Sequence, residues 1–218
     1  MKPSAPQVHP LGDSAVTLNF GIERNAELLS RIHTTAKLLA ARKLAHVQDI
    51  VPGYRSIAIF YDPLLTSYDQ IASDLLRECA RPIESTTPLP DAREHRIPVR
   101  YDGADLRDVA AATGFSVEDV ILRHAGRSYT VDLLGFVPGF AYLSELDPAL
   151  NLPRRAQPRA RVPAGSVAIA DAQTAVYPLD TPGGWHLIGR TDAVMFDPVR
   201  AEPALLCPGD TVRFVRVT

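Results

Sequence analysis

Cysteine is scarce in this chain of 218 residues: Cys79 and Cys207 are the only two. No CxxC, HExxH or clustered Cys/His spacing occurs, which argues against a structural metal and a disulfide scaffold. Both cysteines fall in apolar stretches and are expected as buried thiols in a reducing, cytoplasmic setting. No apolar run approaches the roughly 20 residues of a membrane span. Met1 to Pro10 holds one lysine and no apolar core, so no signal peptide is expected. A charge surplus is missing as well: 23 Lys and Arg stand against 25 Asp and Glu, a formal net charge of −2. Without a basic excess, neither nucleic acid nor an anionic membrane is an expected partner. The GxxxxGK[ST], GxGxxG and GxSxG patterns are absent too, which removes the usual signatures of nucleotide loops and serine hydrolases.

What is present is ample apolar material, 46% of residues, in a length comfortable for two small domains. Val16, Leu18 and Phe20 alternate as a half-buried strand does. From Asn25 a helix is predicted, with Leu28, Ile32, Ala36 and Leu39 on one face. Strands follow at His46 to Val51 and Arg55 to Tyr61, joined at Pro52-Gly53. Ser67 with Gln70 reads as a capping box, opening a helix whose stripe is Ile71, Leu75, Leu76 and Cys79. The order βαββα predicts a small α+β unit over residues 1–85, with helices on one face of its sheet. Proline and polar residues then crowd together, and residues 86–94 read as a linker.

A second domain is expected over 95–218. His95 to Tyr101 alternates, with Pro98 confining it to an edge or a bulge. Two short helices follow, the second opened by a Ser116–Asp119 capping box and passing Gly126 at its end. Beyond it, short apolar runs separated by Gly and Pro predict a closed or nearly closed β structure.

Four segments there carry candidate chemistry. Gly135 to Tyr142 sets a Gly-Pro-Gly turn among aromatics, and reads either as a close-approach surface or as an ordinary turn over a core. Pro153 to Pro163 holds four arginines, Arg154, Arg155, Arg159 and Arg161, whose planar forks suit carboxylate or phosphate. A solvated basic loop is the plainer alternative. Val162 to Ile169, with Gly165 and Ser166, is either an anion-binding turn or a strand start. Tyr177 to Thr191 brings the only tryptophan, Trp185, beside Gly183-Gly184 and His186, a combination suited to a pocket wall. His124, at a helix C-terminus, also fits a favourable dipole interaction there.

Taken together, GFVPGFAYL, PRRAQPRARVPAGSVAIA and QTAVYPLDTPGGWHLIGRT resemble the KipI family of 5-oxoprolinase B subunits, also known as allophanate hydrolase subunit 1. The likeness extends through His124, Tyr129 and VPGYRSIAIFYDP, and departs where Asp171 and Ala172 replace expected glycines. It implies an α+β N-terminal domain and a cyclophilin-like β-barrel C-terminal domain. It implies partner proteins as well: a KipA-type protein, the C component of 5-oxoprolinase, and a LamB/YcsF-type protein, its A component. Together these would open 5-oxo-L-proline to L-glutamate with ATP consumed by the complex and no cofactor assigned to this chain. Under that resemblance Arg154, Arg159 and Arg190 are candidate anion ligands, His124 or Tyr142 the acid/base, and Ser166, Gly184 and Trp185 the surroundings. Two other functions stay open: a KipI-type module that inhibits a histidine kinase, and half of a biotin-dependent urea carboxyltransferase.

Overall fold

The computed structural model describes residues 6–21, 25–80 and 92–218. The chain divides into two compact units, Met1–Asp91 and Ala92–Thr218. Most of the expected linker, residues 86–91, lies outside the described residues, while Glu94 already opens a strand.

In the first unit the described elements are β1 (Gln7–Pro10), β2 (Ala15–Asn19), α1 (Ala26–Arg42), β3 (Val47–Pro52), β4 (Ser56–Tyr61) and α2 (Tyr68–Ala80). The four strands are antiparallel in the order β1-β2-β4-β3. Val16 faces Ile59 and Leu18 faces Ile57 across β2 and β4, so alternate residues of both strands enter one core. Ile32 and Leu39 of α1 and Ile71 and Leu75 of α2 close over it, each residue contributing about 1.5–3 kcal/mol on burial. Asn25 caps α1 by accepting from the Leu28 N–H at 2.8 Å.

Three local expectations need correction. The expected βαββα order lacks strand β1, which pairs along the outer edge of β2. Leu76 lies off the α2 stripe and is exposed. The Ser67–Gln70 box is half-formed: Ser67 accepts the Gln70 N–H at 3.3 Å, but the Gln70 amide reaches forward to Asp74 at 3.0 Å.

The second unit contains β5 (Glu94–Val99), α3 (Leu106–Thr113), α4 (Val117–Ala125), β6 (Ser128–Leu134), β7 (Ala141–Ser144), a 3-10 turn (Pro148–Leu150), β8 (Arg159–Val162), β9 (Ser166–Ala170), β10 (Gln173–Val176), β11 (Thr181–Gly183), β12 (His186–Arg190) and β13 (Thr211–Arg216). Seven of these strands form one sheet in the order β12-β9-β10-β7-β6-β13-β5, and β8 pairs with β11 separately. Strand β5, which carries Pro98, pairs only with β13 and runs parallel to it. Strands β9 and β10 are buried on both faces, and β9 is accordingly apolar after Ser166, whereas β10 opens with the buried polar pair Gln173 and Thr174. In β9, Val167 and Ile169 join the core shared with α3 and α4, while Ala168 and Ala170 join a second one around Phe140, Tyr177 and Trp185.

The sheet curls until its two ends meet. Just past β5, Arg100 exchanges both backbone hydrogen bonds with Arg190 of β12, at 2.9 and 2.8 Å. Gly103 N–H then donates to the Ile188 carbonyl and Asp105 N–H to the Leu187 carbonyl. The approach is close enough to demand two glycines. A methyl on Gly103 would meet the backbone of Leu187 to Gly189, and one on Gly189 would sit 2.6 Å from the Arg100 carbonyl. The result is the nearly closed β structure that the short apolar runs predicted.

The Ser116–Asp119 capping box is complete, with both reciprocal bonds made. Neither Cys79 nor Cys207 forms a disulfide, but each is partly exposed rather than buried, and Cys207 lies in a loop. Among the described residues no group of three His, Cys, Asp or Glu could hold a metal, and no helix is long and apolar enough to cross a membrane.

Candidate functional site

The seam where the sheet closes forms one edge of an open cleft of about 680 Å³. Asp102 and Gly103 line it from one end of the sheet, Gly189, Arg190 and Thr191 from the other, with Ser166 beside Arg190 on the neighbouring strand β9 and Arg159 and Arg161 on β8. Three residues expected at the site, Arg159, Ser166 and Arg190, therefore come together from three different strands.

The start of β9, beside the seam, is fixed by its turn. Gly165 has φ +80°, donates its N–H to the Tyr177 carbonyl at 2.7 Å, and accepts from the Thr191 N–H at 2.8 Å. Ala164 N–H goes to Asp180 Oδ1 at 2.8 Å and Ser166 N–H to the Pro163 carbonyl at 3.2 Å. The backbone donors of this turn are thus committed within the protein, and the segment is a strand start, with Ser166 opening β9. The Ser166 hydroxyl makes no hydrogen bond among the described residues and is the donor the turn can still offer.

Cations dominate the cleft, but each is held by an acid. Arg190 Nη2 meets Asp102 Oδ2 at 2.8 Å and Arg161 Nε meets Asp180 Oδ2 at 2.9 Å, both at exposed positions. Arg159 is anchored more firmly. Its Nη2 donates at 2.6 Å to Oδ1 of Asp105, which also accepts from Arg155 Nη1 at 2.7 Å. The other oxygen, Oδ2, takes the Leu187 N–H at 2.8 Å. Burial alone would raise the Asp105 carboxyl. The hydrogen bonds from Arg159 and Leu187, with the charges of Arg159 and Arg155, outweigh it and hold the group below the ordinary carboxylate range.

The remaining candidates lie elsewhere. Tyr142, Gly184, Trp185 and Arg154 belong to an aromatic cluster centred on Phe140, whose ring packs edge-on against Tyr142, Tyr177 and Trp185 at 4.9, 5.3 and 5.8 Å. Such pairs add about 0.5–1.5 kcal/mol beyond burial. Arg154 lies over the Trp185 ring at 6.0 Å, so its charge faces an aromatic surface rather than the cleft. Trp185 itself is buried at 5% exposure. Gly184 accepts the Arg155 N–H at 2.8 Å, tying the arginine loop to this cluster. Burial raises the Tyr142 hydroxyl above its ordinary value.

His124 is fully buried in the other core, stacked on Phe214 at 4.7 Å. Its Nδ1 meets the Tyr101 hydroxyl and its Nε2 the Thr174 hydroxyl, each at 2.8 Å. Thr174 spends its proton on the Ala168 carbonyl at 3.1 Å, so Nε2 must donate and Nδ1 must accept. Burial pushes the ring down to about 3, leaving it neutral. The structure therefore separates His124 from the cleft residues and gives both ring nitrogens internal partners.

Asp105 had no place among the expected site residues. Its only signal was its position before a helix, which reads as a cap. The Asp171 departure also acquires an explanation: with φ +50° at the β9–β10 turn, it adopts the left-handed geometry a glycine would take, which aspartate tolerates.

A family model, the carboxyltransferase domain, subdomain C and D, matches residues 6–206. Over 209 residues the chain is 43% identical to the 5-oxoprolinase B subunit of Escherichia coli O157:H7, covering 94% of this chain and 93% of that one. The crystal structure of TTHA0988 aligns at 41% identity with a TM-score of 0.83 over 94% of this chain; the chain spans about 40% of that protein's length. The urea amidolyase of K. lactis shares the fold, with a TM-score of 0.74 at 19% identity over 100% of this chain and 15% of that one. A match of this length, at this identity to a relative of the same size, shows that the chain belongs to the family of the carboxyltransferase domain, subdomain C and D, to which it is joined by 5-oxoprolinase B subunits.

Proposed function

We propose that this chain is the B-type subunit of a 5-oxoprolinase, opening 5-oxo-L-proline to L-glutamate in a complex that consumes ATP. The observation that carries the reading is the near full-length identity, 43%, to a 5-oxoprolinase B subunit. The cleft supports it: Arg159, Arg190 and Ser166 line it, and the planar forks of the arginines suit the carboxylate of the substrate. Under this reading the second unit, residues 95–218, is a cyclophilin-like barrel domain and residues 1–85 a separate α+β domain. The partners are a KipA-type C component and a LamB/YcsF-type A component, and the complex is cytoplasmic.

Opening an unactivated lactam needs an electrophilic carbon. Transfer of the ATP γ-phosphoryl group to the amide oxygen supplies one, releasing ADP. Water then attacks that carbon, the C–N bond breaks with a proton delivered to nitrogen to leave an acyl phosphate, and a second water hydrolyses it to the carboxylate of L-glutamate and free phosphate. In this scheme Arg159 and Arg190 hold the substrate carboxylate and the developing phosphoryl charge, and Ser166 orients it. Neither acid/base candidate reaches the cleft: His124 has no ring nitrogen facing solvent, and Tyr142 lies in the aromatic cluster. In this reading the proton on nitrogen comes from a group that a partner protein brings to the cleft. The urea amidolyase likeness is one of fold and supports no separate carboxyltransferase reading.

The test is 5-oxoproline-dependent ADP release by the assembled complex, with and without this chain. Turnover that disappears when the chain is left out supports the assignment. A complete, folded complex without turnover overturns it.

A further inference from the structure

Asp105 occupies the residue before α3, where an aspartate ordinarily accepts from the N–H groups of the first turn. It makes no such bond. Both its oxygens turn away from the helix, one to Arg155 and Arg159 and the other to the Leu187 N–H. A carboxylate buried to 2% exposure that also leaves a helix end uncapped is a poor device for stability alone. It is, however, rigid. Asp105 and Leu187 exchange two hydrogen bonds, Asp105 N–H to the Leu187 carbonyl at 2.9 Å and Leu187 N–H to Oδ2 at 2.8 Å. That pins the carboxylate to β12 at the barrel seam.

Arg159 has the complementary character. It lines the cleft, its side chain is about one-quarter exposed, and its guanidinium is held by Nη2 while Nη1 is buried with no partner among the described residues. A long side chain loses much rotamer freedom when it engages a ligand. Prior fixation by a buried anion removes that loss and sets the plane of the fork.

We infer that Asp105 is a positioning residue: it holds the Arg159 guanidinium in the orientation that recognises the carboxylate of a cyclic amide acid, without touching the substrate. The inference rests on the cleft being the 5-oxoproline site.

The experiment compares wild type with Asp105→Asn in the assembled complex, reading KM for 5-oxoproline, kcat and melting temperature. Expected are a KM raised about 10-fold or more and a kcat within about 3-fold, since orientation of a charged hydrogen bond is lost while the chemistry is spared. Adding Asp105→Asn to Arg159→Ala should raise KM no further, because the aspartate acts only through the arginine. A purely structural role would instead lower the melting temperature, leave KM unchanged, and add to the arginine variant. Should Asp105→Asn fail to fold, Asp105→Glu keeps the charge and displaces the fork, and a KM increase of about 3-fold or more is expected. Wild-type turnover with unchanged KM in the folded variant overturns this inference alone. A wild-type complex without turnover overturns the functional reading and the inference with it.

Discussion

Arg100 and Arg190 face each other across the barrel seam, and each sends its side chain to the aspartate two residues beyond the other: Arg100 to Asp192 at 3.0 Å, Arg190 to Asp102 at 2.8 Å. The ion pairs are exposed, whereas the backbone bonds beneath them close the sheet. Arg100→Gln should therefore change stability by no more than about 1 kcal/mol. Gly189→Ala, which drives a methyl into the Arg100 carbonyl, should cost at least about 2–3 kcal/mol. Urea unfolding followed by Trp185 fluorescence checks both, since the only tryptophan reports on this unit. Equal effects would mean that the ion pairs, not the backbone, close the barrel.

The neutral His124 makes the second unit sensitive to acid. Its ring titrates near 6.5 when unfolded and near 3 when folded, so between those values the unfolded chain binds the extra proton. Stability from this residue is present above about pH 6.5. It declines by about 1.4 kcal/mol per pH unit below that, toward a total of about 5 kcal/mol near pH 3. His124→Asn should be less stable at neutral pH and show a shallower loss between pH 6.5 and 4. The difference between the two curves isolates the histidine from the Asp105 carboxylate, whose lowered pKa also costs stability in acid. Parallel curves would contradict the neutral assignment.

The cleft and the aromatic cluster should respond differently to loss of an arginine. In the assembled complex, Arg190→Ala is expected to lower kcat/KM by about 10- to 100-fold, the cost of a hydrogen bond to a charged group. Arg154→Ala removes a cation resting over Trp185 and should stay within about 3-fold. The opposite ranking would move the binding site to the aromatic cluster.

Asp171 offers a test of backbone strain. Asp171→Gly should be neutral or stabilising by up to about 1 kcal/mol, and Asp171→Val destabilising by about 1–2 kcal/mol, because a branched residue resists positive φ. The exposed contact with Arg154 at 3.8 Å is too weak to reverse this order. Melting temperatures of the two variants decide it.

Local pattern made much of the fold legible. The alternation of Val16 and Leu18 matched Ile57 and Ile59, and the Ser116–Asp119 box marked the start of α4. His124 stands four residues after Val120 on the buried stripe, a spacing that points to the core, whereas its chemistry and its place at a helix end suggested an acid/base or a dipole partner. What local pattern could not carry was pairing over distance. Arg155 and Arg159 were visible as a basic loop, but their acid lies 50 and 54 residues earlier, at a site that reads as a cap. The cleft likewise depends on the seam between Arg100 and Arg190, and no periodicity within either strand announces that the sheet closes there.

The facing glycines at that seam also constrain how such a protein can change its specificity. Because Gly103 and Gly189 meet with no room for a side chain, those two points of the cleft edge are main chain and closed to substitution. Gly165, held at positive φ with the Thr191 carbonyl where a methyl would stand, is closed as well. A descendant adapting to a different ligand inherits those three points unedited, and its freedom lies in the side chains around them, Arg161 and Arg190 among them.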